Sequence, residues 1–140
     1  MSEASATADL VEMTGRVFET AIRHDPEAAL SVSAPAAVSD LSDAALGTFE
    51  RVAAIGSLLE HWCATWRVHL TDVEEAADLD QGVVFARVWE DGHRAGSDSH
   101  VQQRRGWVLV WVEDVISRAT AYLDINRART VVERLAESRG

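Results

Sequence analysis

Apolar positions along this chain change their period from segment to segment, and each change marks an element. Leu10, Met13, Val17, Ala21 and Ile22 recur at helical spacing, which predicts an amphipathic helix to about His24. Asp9 with Glu12 three residues on has the form of a capping box at its start. Gly15 inside it costs about 1 kcal/mol relative to Ala, which suggests close packing there. Asp25-Pro26 restarts a helix, with Asp25 as cap and Pro26 at the first helical position. This second helix, Pro26–Val32, is short because Pro35 pushes the chain extended. Ala36–Asp40 then reads as a brief extended piece and Leu41–Gly47 as a loop. Thr48 stands where it would cap a third helix, Thr48–Trp62, whose stripe is Val52, Ile55, Leu58, Leu59 and Trp62.

Near Cys63 the period drops to two. Trp66, Val68 and Leu70 alternate with Arg67, His69 and Thr71, as in a half-buried strand over Trp66–Glu74. Three more strands follow: Val83–Glu90, His100–Trp111 and Val115–Leu123. The polar, glycine-rich Asp91–Ser99 joins the first two as a loop, and Glu113-Asp114 joins the last two as a tight turn. Asp124 caps a final helix to about Ala136, with Ala128, Val131, Val132 and Leu135 inward. Helices and antiparallel strands are segregated, so the fold class is α+β. A strongly curved sheet folded over the first and third helices would enclose a cavity.

Composition narrows the function classes. A chain of 140 residues is one domain, taken as 9–136 behind a loose tail at 1–8. Formal net charge is -10, and every basic residue is Arg. Such a chain repels phosphate backbones, so nucleic acid is not the expected partner. Its longest apolar run, Trp107–Val112, is too short to cross a bilayer, so no membrane role is expected. Met1–Ala8 lacks the basic and apolar regions of a secretory signal, and the single Cys63 fits a reducing compartment. The expected location is the cytoplasm, and the Lys-free, Ala- and Arg-rich usage points to a GC-rich bacterial genome.

The stretch Gly106-Trp107-Val108-Leu109-Val110-Trp111-Val112-Glu113-Asp114-Val115-Ile116-Ser117-Arg118, then Tyr122-Leu123-Asp124, carries a family likeness, as does Gly92–Ser97 before a long strand. With the element order, it resembles the SnoaL-like branch of the nuclear transport factor 2-like (NTF2-like) superfamily. That superfamily includes ketosteroid isomerases, polyketide cyclases and limonene-type epoxide hydrolases, and hosts enzymes and non-enzymes alike. The resemblance implies a cone-shaped, cystatin-like fold with one pocket between sheet and helices. It also implies homodimers through the outer sheet face, where Val108 and Val110 would need cover.

The same resemblance nominates residues. Aligning Ala36-Ala37-Val38-Ser39-Asp40 puts Asp40 where ketosteroid isomerases carry their general base; the other reading of Asp40 is a loop acid capping a turn. The isomerase's oxyanion donors fall near Val17 and Trp107, so that activity is not expected. Arg87 matches the epoxide hydrolase arginine, but Trp89 and Ala121 stand where its acids belong. Asp124 is the acid nearest the cyclase position, and capping is its other role.

On the strand His100–Trp111, alternation puts Arg105, Trp107, Leu109 and Trp111 on one face, which the family alignment makes the concave one. The matching concave set on the last strand is Arg118, Thr120 and Tyr122. The expected pocket is therefore walled by Trp107, Trp111 and Tyr122, with Arg105 or Arg118 as polar anchors and Val17, Leu58 or Trp62 closing it from the helices. Trp107 and Trp111 would stand about 13–14 Å apart, enough to bracket a multi-ring hydrophobic small molecule. His93, Asp98 and His100 share one loop at a spacing that matches no strong zinc pattern, so neither metal nor cofactor is expected. Two functions stay open: a cofactor-free isomerase, cyclase or hydrolase acting on a hydrophobic carbonyl compound, or a non-catalytic ligand-binding or dimerisation module.

Overall fold

A computed structural model describes residues 10–22, 25–44 and 46–139, the side chains of 21, 22, 26, 44 and 67–71 apart. The expected cap at Asp9, the helix end at His24 and the tail at 1–8 lie outside these residues. The order is α1 (Leu10–Ile22), α2 (Pro26–Leu30), β1 (Ser33–Asp40), a 3-10 turn (Ser42–Ala44), β2 (Thr48–Glu50) and α3 (Arg51–Thr65). Then come β3 (Trp66–Asp78), β4 (Val83–Arg94), β5 (His100–Val112), β6 (Val115–Tyr122) and α4 (Ile125–Arg139). The strands form one curved six-stranded sheet in the order β2-β1-β6-β5-β4-β3.

The fold is α+β, as expected, but the sheet is mixed. β1 lies parallel to β6, while the other neighbours are antiparallel. Parallel strands need a long connection. Here everything from β2 to β5 supplies it. Pro35 falls in the irregular stretch between the paired residues Ser33 and Val38, where a missing N–H breaks no ladder bond. Thr48 is not a helix cap. It pairs with Asp40 in the ladder, and its hydroxyl donates to Asp40 Oδ1 at 3.2 Å. The residue before α3 is Glu50, whose side chain makes no capping bond. Asp25 does cap α2, accepting from the Ala28 amide at 3.3 Å.

Each face of the sheet is covered by a different helix. On the inner face Val84, Ala86, Val88, Leu109 and Trp111 pack against Phe18 of α1, with Leu10, Met13 and Val17 around them. Thr14 is fully buried there and accepts from Trp111 Nε1 at 3.2 Å. On the outer face Val83, Phe85 and Val108 pack against Ala128 and Val132 of α4. Val108 and Val110 are thus buried within a single chain, and the cover expected from a second copy comes from α4 in the case of Val108. Gly106 makes this docking possible: a Cβ there would lie 2.6 Å from Ala128 Cβ. Gly15 is not a packing glycine among the described residues, since a Cβ there would meet none of them within 4 Å.

The β5–β6 hairpin sets which side chains face inward. Val110 pairs with Arg118, but Trp111 pairs with Ile116, so Ser117 is an extra residue on β6. Such a bulge reverses the alternation. Ile116 faces inward with Trp111, and beyond the bulge Ala119 and Ala121 take the inner positions beside Leu109 and Trp107. The expected concave set Arg118, Thr120 and Tyr122 therefore stands on the outer face. Tyr122 packs in the α4 cluster, with the Arg127 guanidinium 5.5 Å from its ring centre.

Candidate functional site

Between α1, α3 and the inner face lies a cavity of about 160 Å³. Its helical walls are Val17 and Phe18 from α1 and Leu58, Leu59 and Trp62 from α3. The periodic stripe of α3 aims these side chains at the sheet. Trp107, Leu109, Ile116 and Ala119 form the sheet wall, and Ala37, Val38 and Ser39 of β1 close one side. Trp107 stacks edge-on to Phe18, with ring centres 5.6 Å apart. Its indole N–H is buried and has no hydrogen-bond partner among the described residues. Cys63 also reaches this cavity, and burial pushes its thiol up from the ordinary value.

Glu90 and Arg105 make the polar end. Both line the cavity and both are buried, and Arg105 Nε stands 2.8 Å from Glu90 Oε1. Burial pushes the Glu90 carboxyl up from its ordinary value, against the downward pull of the Arg105 charge. Gln103 sits beside them. In one orientation its amide donates to Glu90 Oε1 at 3.3 Å. Turned over, its oxygen accepts from Arg105 Nε at 3.1 Å and Nη2 at 2.8 Å. The second arrangement satisfies more of the guanidinium and leaves Glu90 with Arg105 as its close partner.

Of the residues singled out in the sequence, Val17, Trp62, Arg105 and Trp107 come together here. Trp111 shares the inner face but is covered by α1 and does not line the cavity. Arg118 and Tyr122 are on the outer side of the bulge, so neither anchors this pocket. Asp40 is also not among the lining residues, although Val38 and Ser39 are. Its Oδ1 accepts from the Ser42 hydroxyl at 2.6 Å and the Ser42 amide at 3.0 Å. Its Oδ2 accepts from Arg118 Nη2 at 3.0 Å. The Ser42 hydroxyl first, then its amide, Thr48 and Arg118, hold the Asp40 carboxyl below the usual carboxylate range. That is a turn-capping acid, the opposite of a base with a raised pKa. Asp124 likewise caps α4, accepting from the Asn126 amide at 2.9 Å. Arg87 stands outside the cavity near Glu74, at 3.5 Å.

Glu90 was not singled out in the sequence, yet β4 carries its signal. Val84, Ala86, Val88 and Glu90 form one alternating set, and the last member is an acid closing an apolar stripe. Its cross-strand partner is Gln103, two residues before Arg105 is reached on the diagonal through Val88.

No family model matches the sequence, and no curated protein does. Solved structures do match in shape. A hypothetical protein with a ketosteroid isomerase-like fold from Catenulispora acidiphila, crystallised with trimethylamine, has a TM-score of 0.72 at 14% identity, over 79% of this chain and 84% of its own. A proposed SnoaL-like polyketide cyclase from a Jannaschia species has a TM-score of 0.70 at 13% identity, over 87% and 90%. A proposed isomerase from Bacillus subtilis has a TM-score of 0.71 at 16% identity, over 92% of both chains. At these identities the likeness is one of fold: the chain folds as the ketosteroid isomerase-like and SnoaL-like proteins of the NTF2-like superfamily do.

Proposed function

We propose that the chain binds a small hydrophobic carbonyl compound in this cavity and that Glu90 moves a proton next to the carbonyl, without a cofactor. The observation that carries the reading is a buried carboxyl, raised by its surroundings, in the wall of an otherwise largely apolar cavity. An acid of this kind is a better proton acceptor near neutral pH than an exposed one. In the reaction the Glu90 carboxylate takes the proton from the carbon beside the carbonyl. The C–H electrons pass into the C–C bond and the carbonyl oxygen becomes an enolate. Trp107 N–H, which lacks a partner among the described residues, and Arg105 are the groups available to stabilise that oxygen. Return of the proton at another carbon completes an isomerisation. Asp40, expected for this role from the sequence, is replaced in it by Glu90.

The non-catalytic alternative draws support from the Arg105–Glu90 ion pair, which engages the carboxylate at 2.8 Å. The two readings separate on one measurement. Cyclic ketones of one-ring size are incubated with the protein in heavy water, and exchange of the protons beside the carbonyl is followed by NMR. The proton-transfer reading expects exchange that rises with pH through a midpoint above the ordinary Glu value of about 4.3. Glu90→Gln should lower that rate by about a hundredfold or more. Ketone binding, seen by quenching of tryptophan fluorescence, without any exchange would leave only the binding function.

A further inference from the structure

At the hairpin end of β4 and β5 the register places His93 opposite His100 and Asp91 opposite Gln102. Asp91 and His93 are two residues apart on one strand and so share a face, with His100 facing them from the next strand. Each of the three offers one ligand atom, and these atoms all lie within 4.8 Å of one another. The two imidazole rings stack, with centres 4.1 Å apart and planes 9° from parallel. His100 Nε2 stands 2.5 Å from Asp91 Oδ1, while Asp91 Oδ2 accepts from Gln102 Nε2 at 3.1 Å. A carboxylate held by an outer amide in this way is the usual arrangement behind a metal ligand.

We propose that Asp91, His93 and His100 bind one divalent transition-metal ion. Two imidazole nitrogens and one carboxylate oxygen suit zinc, cobalt, nickel or copper, whereas calcium and magnesium take oxygen ligands. An ion about 2.0–2.1 Å from each ligand in tetrahedral geometry holds the ligand atoms roughly 3.3 Å apart. A pair as wide as 4.8 Å has to close by about 1.5 Å, and His100 Nε2 and Asp91 Oδ1, at 2.5 Å, have to open by somewhat under about 1 Å. His100 is exposed and Asp91 and His93 are half-buried, so side-chain rotation can deliver that adjustment. Water would take the remaining coordination position.

Neither the sequence spacing nor the cavity points to this site. The spacing suggested Asp98, which lies in the turn, while pairing across the hairpin substitutes Asp91. Glu90 faces the cavity, so its neighbour Asp91 faces the other side of the sheet. The proposal thus stands apart from the proton-transfer reading. Bound metal would clasp β4 to β5 next to their connecting turn.

The test uses the untagged full chain, stripped with a chelator and titrated with Co²⁺ alone. One ion per chain is expected, with a visible absorption band, displaced by Zn²⁺. His93→Ala and His100→Ala should each weaken binding by about tenfold or more. Asp91→Asn, of nearly the same shape, should weaken it as well. His61→Ala, on α3, should leave it unchanged. Circular dichroism checks that each variant keeps its fold. No stoichiometric binding at about 100 µM Co²⁺ or Zn²⁺ overturns the proposal. So does binding that survives both histidine substitutions.

Discussion

Both oxygens of Asp40 accept hydrogen bonds, from Ser42, Thr48 and Arg118, and its carboxyl is held below the usual range. Glu90 has burial working the other way. The difference is one of solvent and donors, not of residue type. For Asp40 the sign is definite. Its folded-state pKa lies below the unfolded value, so the stability it contributes is fully present above the unfolded pKa of about 3.9 and is lost as pH falls through the lower, folded value. Asp40→Asn should therefore lower the thermal midpoint at neutral pH. A few degrees is expected, roughly 2–4 °C, after discounting the contacts for solvent screening. The gap between variant and parent should narrow below about pH 4, which thermal melts across a pH series would reveal. The same variant should leave ketone exchange within about twofold, since Asp40 does not line the cavity. A large loss of exchange would restore Asp40 to the chemistry.

Strand β6 carries the decision about which side chains reach the cavity, and Ser117 is the residue that makes it. Without the bulge, alternation running on from Ile116 would turn Arg118 and Tyr122 inward. With it, small residues, Ala119 and Ala121, take the inner face and leave room beside Trp107 and Leu109. The opposite face shows the same economy of space. Gly106 on β5 meets Ala128 on α4, whose side chain is fully buried. Gly106→Ala should therefore destabilise the chain by about 1–3 kcal/mol in urea unfolding, through overpacking alone. Adding Ala128→Gly should restore part of the loss, because it removes the clashing methyl while introducing the helix cost of glycine. If Gly106→Ala is neutral, α4 does not sit as closely on the sheet as the structure places it.

The whole molecule is a sheet with α1 and α3 over one face and α4 over the other, and the cavity is what the inner pair fails to fill. Its volume, about 160 Å³, is near that of a cavity known to hold benzene and far below what a multi-ring ligand needs. The wide aromatic wall expected from Trp107 and Trp111 does not exist, because α1 covers Trp111. One-ring ketones should accordingly quench tryptophan fluorescence at micromolar to millimolar concentrations (about -8 to -4 kcal/mol), while four-ring steroids should not. Equal binding of both would mean that the cavity opens well beyond its present size. Among the described residues, no helix is long and apolar enough to cross a membrane. Much of this architecture was legible in the sequence by itself. The stripes of α1, α3 and α4 and the alternation of β4 and β5 are local signals, written in neighbours a few residues apart. They determined the α+β class, the order of the helices and the long strands, and the shared face of Arg105 and Trp107, while the family resemblance supplied which face is the inner one. Four features came only from the tertiary structure: the parallel pairing of β1 with β6, the three-residue β2, the phase of β6 and the burial of Glu90 in the cavity wall. Each depends on which distant strand lies alongside and which face becomes dry, and periodicity within a segment carries no information about either.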